Sequence, residues 1–276
     1  ATTPALKVRY PAMRALPDAL VVDLEQAFKR LSFAQSAPHF IARFAETLAK
    51  GLAGEIVTLV SPVCPDYGYE NKNGRLRYTF DYLGEGIGLV AGRVVKTLPD
   101  LQAVLQKHGI ETRIAIAAGD FEGFDERTLS RLKETREGFA HKLRVSQQKI
   151  LDRLGRDTET IMIAEAAGGE DIWNALTAQA QQRLAIGDNG CIVDNDLDYA
   201  AILNARLALY QAWHQQRSNE ELMQVLYAQG AEYAAIGKVF AQQWTNPIVI
   251  GADHNRMQPF YWLYSTIPVL YLTRVY

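Results

Sequence analysis

The chain has 276 residues, 48% of them hydrophobic and 22% charged, which is the balance of one large α/β domain or two small ones. Its 29 Lys plus Arg against 31 Asp plus Glu give a formal net charge of −2, so a bulk basic surface for nucleic acid is excluded. Two cysteines, Cys64 and Cys191, exclude a disulfide framework and read as reduced thiols, and no run approaches the ~18 apolar residues of a membrane-spanning helix.

Residues 1–17 hold three prolines and are expected to form an extended arm. Residues 18–53 read as helical. Leu20, Val21, Leu24, Phe28 and Leu31 fall at helical spacing, and Phe40, Phe44, Leu48 and Leu52 repeat it. Ser36-Ala37-Pro38 divides the stretch in two, with the second helix starting near Ser36 or Ala37. Glu55–Val60 is the first predicted strand. Tyr67–Gly74 reads as a loop or hairpin tip and Arg75–Tyr82 as a short strand or part of a lid, which makes 66–82 the candidate lid. Helices are expected from Gly86 to Val95 and from Leu98 to Lys107, the second closed by His108-Gly109 with Gly109 as a left-handed cap.

Glu111–Ala118 is the second predicted strand. Glu126–Leu154 is helical and carries interleaved charges of both signs, as a solvated helix face does. Thr160–Ala164 is a third strand. Asp171–Leu184, Leu197–Gln215 and Asn219–Gln242 are helices, the last capped by Ser218. Asn246–Ile250 and Val269–Thr273 are the final strands. Short β-branched strands separated by helices predict a Rossmann-like α/β fold: a mostly parallel sheet flanked by helices, with a helical N-terminal extension. One domain is expected over 1–276, its Rossmann-like core spanning 55–276. Ala1-Thr2-Thr3-Pro4 shows no charged segment followed by an apolar one, so the expected location is cytoplasmic.

Three of the apolar runs end in polar clusters. Ile56–Val60 leads into Ser61-Pro62-Val63-Cys64-Pro65-Asp66-Tyr67. Ile114–Ala118 leads into Gly119-Asp120-Phe121-Glu122-Gly123-Phe124-Asp125. Ile248–Ile250 leads into Gly251-Ala252-Asp253-His254-Asn255-Arg256-Met257. Open parallel sheets bind ligands outside the carboxyl ends of their strands, so the clusters are expected to converge on the pocket of a small-molecule enzyme. Asp120 and His254 are the candidates for proton transfer, and Ser61 offers a hydroxyl nucleophile. Cys64, Tyr67, Glu122, Asp253 and Arg256 are candidate substrate contacts, with the Arg256 guanidinium suited to a carboxylate or phosphate.

Two further motifs bear on cofactors. Gly84-Glu85-Gly86-Ile87-Gly88 resembles a nucleotide loop and would suit an adenosylmethionine-dependent methyltransferase. No acidic residue closes a second strand about 20 residues later, as a dinucleotide site requires. Asp194-Asn195-Asp196-Leu197-Asp198 offers carboxylates suited to a hard cation and equally to a helix N-terminus. No metal and no redox cofactor is expected.

The order of the three clusters resembles the isonitrile (isocyanide) synthase family. The resemblance spans about residues 40–264. It rests on Leu59-Val60-Ser61-Pro62-Val63-Cys64, on Tyr82-Leu83-Gly84 before a helix, on Ala118 through Asp125, and on Gly251-Ala252-Asp253-His254. It implies a Rossmann-like domain that condenses an amino-acid amine with a phosphosugar ketone. Cys64 stands near the place of that family's lysine. The chain is also similar to the cyclodipeptide synthases, whose nucleophilic serine after the first strand would be Ser61. Of their Tyr-x-x-x-Glu motif, Tyr233 has Gly237 four residues on. That resemblance implies aminoacyl-tRNA as a partner, which the slightly acidic charge disfavours.

Overall fold

The computed structural model describes residues 2–31, 38–63, 68–72, 75–79, 89–119, 129–130, 135–155, 157–185, 203–208, 211, 217–252 and 267–272. Five parallel strands form the main sheet: β1 (Val57–Val63), β4 (Thr112–Ala118), β5 (Glu159–Met162), β6 (Pro247–Ala252) and β7 (Val269–Leu272). Between β1 and β4 the chain also makes an antiparallel hairpin, β2 (Gly68–Lys72) and β3 (Arg75–Thr79), with Lys72 opposite Arg75. The strand order is β5-β4-β1-β6-β7. Numbered along the sheet strands alone, this is 3-2-1-4-5, the doubly wound Rossmann-like order.

Side-chain alternation assigns the two faces. Val57, Leu59, Ile114, Ile116, Ile248, Ile250 and Leu270 enter one core, while Val60, Ala115, Ala117, Val249 and Val269 enter the other. Both sides are covered, so the strands are near-continuous apolar runs. α4 (Leu89–Lys107) and α5 (Arg136–Leu154) pack on the first face through Leu98, Leu101, Leu105 and Ile150. On the second face, α8 (Asn219–Gln243) packs through Ile236, Val239 and Phe240, with α6 (Ile163–Ala166) and α7 (Glu170–Ala185) beside it.

The N-terminal extension belongs to the core. α2 (Asp18–Leu31) and α3 (Pro38–Leu52) sit on the first face, and α3 touches β1, β6 and β7. Phe44 of α3 is fully buried, and truncating such a ring to Ala costs about 3–5 kcal/mol. The extended arm expected over 1–17 is instead folded: α1 (Ala5–Arg9) and a 3₁₀ helix (Pro11–Ala15) lie on α2 and α3, and Met13 and Leu16 are buried. Its prolines mark element starts. Pro4 precedes α1, Pro11 opens the 3₁₀ helix and Pro17 precedes α2, where a missing N–H leaves no helical bond unmade. Lys7 pairs with Asp18, and Leu6 N–H donates to Glu25.

Several predicted boundaries also change: the strand expected over Thr160–Ala164 is Glu159–Met162 with α6 following, and the helix expected over Glu126–Leu154 has an extended Thr135 as the N-cap of α5. The two helices expected between Gly86 and Lys107 are one, α4, which runs through Pro99. Proline removes one helical bond, and the buried Leu98, Leu101 and Leu105 hold the helix to the sheet across that gap. The first strand, expected to end at Val60, continues through Ser61 and Pro62 to Val63. Other local signals stand. Gly109 has φ +78 and closes α4, with Ile110 N–H bonded to Leu105 O and Gly109 N–H to Gln106 O, a Schellman cap. Ser218 caps α8 in a reciprocal box with Glu221.

The amino edge of the sheet is tied down by close approach and charge. A Cβ on Gly51 would lie 2.7 Å from Ile110 Cγ2 and 2.9 Å from Val57 Cγ2. Gly51→Ala should therefore destabilise the protein by about 1–3 kcal/mol through overpacking. Urea denaturation checks this, and an unchanged midpoint would refute it. At the end of α4, Lys107 Nζ donates to Asp23 Oδ2 at 2.9 Å, and His108 Nε2 lies 2.6 Å from the same oxygen. The hydrogen bonds from Lys107 and then His108 hold the Asp23 carboxyl below its ordinary 3.8, against the opposing effect of desolvation. A carboxyl lowered by folding adds stability above its unfolded value and loses it as the pH falls through the folded one. Asp23→Asn should thus be less stable than the native chain near neutrality, with the gap closing below about pH 4. A gap that persists undiminished in acid, measured by urea denaturation across pH, would contradict the assignment.

Candidate functional site

The strand order settles which strand ends are neighbours. β1 pairs with β4 on one side, from Val57–Thr112 to Val63–Ala118, and with β6 on the other, from Thr58–Pro247 to Val60–Val249. The three strands whose carboxyl ends lead into the polar clusters are thus adjacent, β4-β1-β6. Adjacent strands are about 4.8 Å apart, so the outer two of the three ends lie roughly 10 Å apart. That distance suits a small molecule lying across β1.

The chain direction reverses at β1. It moves from β1 to β4 and β5 over one face, then returns to β6 over the other. The crevice of a doubly wound sheet opens where the order reverses, here between the carboxyl ends of β1 and β6.

The seam between these two strands is short in backbone pairs and reinforced by side chains. At its amino end Thr58 Oγ1 donates to Thr245 O at 2.9 Å, and Asn246 Nδ2 donates to Ile56 O at 3.0 Å. Asn246 has φ 45, a left-handed conformation that asparagine tolerates better than most residues. At the carboxyl end Ser61 Oγ donates to Ile250 O at 3.0 Å. Ser61 is 0% exposed, and its hydroxyl lies inside β1 rather than at the end of the strand.

Among the predicted site residues, Ser61 is the one within the described residues. Cys64 and Tyr67, which follow β1, lie outside them, as do Asp120 and Glu122 after β4 and Asp253, His254 and Arg256 after β6. So do Gly84–Gly88 and Asp194–Asp198. The candidate lid at 66–82 contains the β2–β3 hairpin, which follows directly from the carboxyl end of β1. Among the described residues no three His, Cys, Asp or Glu side chains gather as a metal site.

Two features of the edge were not read from the sequence. Gly119, the residue that leaves β4, is buried against the first residue of α6: a Cβ there would sit 3.1 Å from Ile163 Cδ1. The second is on α8. Gln229 and Glu232 are buried, at 8% and 4% exposure. Crossover helices run antiparallel to their strands. Glu232 stands about 17 Å up α8 from Gln243, and Ala252 about 17 Å up β6 from Pro247, so the two are at similar height. The signal was available, because Gln229 continues the buried series of Leu222 and Leu226, and a polar residue there is out of pattern.

Compared with protein-family models and with curated proteins, the chain matches none. No helix of the described residues is long and apolar enough to cross a membrane.

Gly119→Ala should cost less than about 1 kcal/mol, since the flexible end of Ile163 can yield. The cost should shrink further in an Ile163→Val background, which removes Cδ1. Equal costs in the two backgrounds, by thermal unfolding, would mean that Ile163 is not what requires glycine there.

Proposed function

We propose that this chain is a biosynthetic transferase or synthase acting on an amino acid or an amino-acid-derived small molecule, similar in chemistry to the isonitrile synthases. The observation that supports it is the adjacency of β4, β1 and β6 at a topological switch point, which gives the segments after them a common place to meet. In this reading Asp120 and His254 move protons: one accepts from the substrate amine as it attacks, the other donates to the departing oxygen. Arg256 holds a carboxylate or phosphate. Cys64, Tyr67, Glu122 and Asp253 line the pocket, and the β2–β3 hairpin closes over it from β1. The reaction takes place in a reducing, cytoplasmic setting and draws on no metal or redox group.

Fold alone does not carry the substrate class. That part of the proposal rests on the resemblance of the three clusters in order and spacing. The test is thermal stabilisation of the full chain by L-tyrosine, a ketopentose phosphate, adenosylmethionine and bulk tRNA, since a ligand that binds the native state raises Tm by mass action. L-Tyrosine or the phosphosugar should raise Tm, and His254→Ala and Asp120→Asn should each abolish the rise while leaving the ligand-free Tm within a few degrees. A rise with tRNA alone would replace this reading with aminoacyl transfer, and a rise with adenosylmethionine alone with methyl transfer.

A further inference from the structure

The carboxyl end of the β1–β6 seam breaks the rule that proline stays out of central strands. Hydrogen-bond parity explains how. Val57 N–H bonds to Glu111 O, ahead of β4, and Thr58 N–H to Asn246 O, ahead of β6. In a parallel ladder alternate residues face opposite neighbours, so odd-numbered residues of β1 serve β4 and even-numbered ones serve β6. Pro62 is even-numbered. Its place in the ladder with β4 is therefore undisturbed, and that ladder runs on to Val63–Ala118. The missing N–H points at β6.

Its intended acceptor follows from the same register. Val249 N–H bonds to Pro268 O on the β7 side, so Ile250 faces β1. With Thr58 opposite Pro247 and donating to Asn246, residue 62 would donate to Ile250 O. No proline can. Ser61 Oγ supplies the donor instead, at 3.0 Å and fully buried.

We propose that Ser61 is a positioning residue whose hydroxyl replaces the amide that Pro62 lacks, carrying the β1–β6 contact one rung beyond the last backbone pair and setting the spacing of the two strand ends at the crevice. Its consequence for ligand binding rests on the function proposed above, whereas the hydrogen-bond substitution stands without it. The assignment also separates Ser61 from the nucleophile role. Its proton is engaged by a buried carbonyl, and a buried acceptor left without a donor is costly.

The two residues form a testable pair. Ser61→Ala should lower Tm by about 3–10 °C, because Ile250 O loses its donor. Pro62→Ala introduces an N–H aimed at the same oxygen. In the Pro62→Ala background the further change Ser61→Ala should therefore cost little, and Ser61→Thr, which keeps the hydroxyl, should stay near the native Tm. Equal losses from Ser61→Ala in the two backgrounds would overturn the proposal. Should Ser61→Ala alone fail to fold, a folded double variant supports it and an insoluble one overturns it. L-Tyrosine titration adds the functional arm: binding weakened in Ser61→Ala should return in the double variant. Stability that returns without binding would make Ser61 a ligand contact and overturn the positioning role. If L-tyrosine fails to bind even the native chain while the stability pattern holds, the function reading fails and the role of Ser61 in the seam stands.

Discussion

Each residue of β1 can hydrogen-bond to one neighbour only, and the neighbour alternates along the strand. Much of the architecture depends on that constraint. β1 is the strand from which the sheet grows both ways, so its backbone divides its donors between β4 and β6. Its side chains alternate as well, with Leu59 in one core and Val60 in the other. The strand must therefore be apolar throughout, and a polar or imino residue is tolerated only where the alternation gives it a use. Ser61-Pro62 is such a place. The ladder to β4 continues past it, while the ladder to β6 stops and a hydroxyl takes over.

The same division positions the candidate site. Because the winding reverses at β1, the helices crossing from β1 to β4 and from β5 to β6 lie on opposite faces. The crossover α4 reaches β4, β1 and β6 but does not cover the whole of the first face. The N-terminal helices complete the burial instead, with α3 on β1, β6 and β7 and the 3₁₀ helix against α3. The polar segments of the sequence follow three adjacent strands at this edge.

Local signals in the sequence carried most of the elements. The apolar runs of β1 and β4, the glycine at 109 and the serine at 218 each have one physical meaning and can be read without knowing their neighbours. Prolines were harder. Pro4, Pro11 and Pro17 suggested an extended arm but mark the starts of folded elements, and the two helices expected between Gly86 and Lys107 are one, which packing keeps whole through Pro99. Pro62 was read as part of a polar cluster because its tolerance depends on which strand lies to each side. Strand order is a non-local property and no single segment encodes it. For that reason the convergence of the clusters was an expectation from fold class, and the adjacency of β4, β1 and β6 is what gives it geometric support. Gly119 was read only as the start of a polar cluster, whereas the close approach there is to the side chain of Ile163, 44 positions away in the chain. Of the candidate site residues, Ser61 is placed, and its environment argues for a role in the seam. Asp120, His254 and the others lie outside the described residues, so their assignment rests on the ends of the strands they follow.

The central claim is that one crevice at the carboxyl edge of β4, β1 and β6 binds a small molecule. Hydrogen–deuterium exchange of the native chain with and without saturating L-tyrosine tests it most directly, because protection maps onto the sequence. The account predicts slowed exchange in all three segments after the strands, 64–70, 119–128 and 253–260, and no change at the opposite edge around 108–111 and 244–247. Protection confined to the amino edge, or to helices away from these segments, would contradict it.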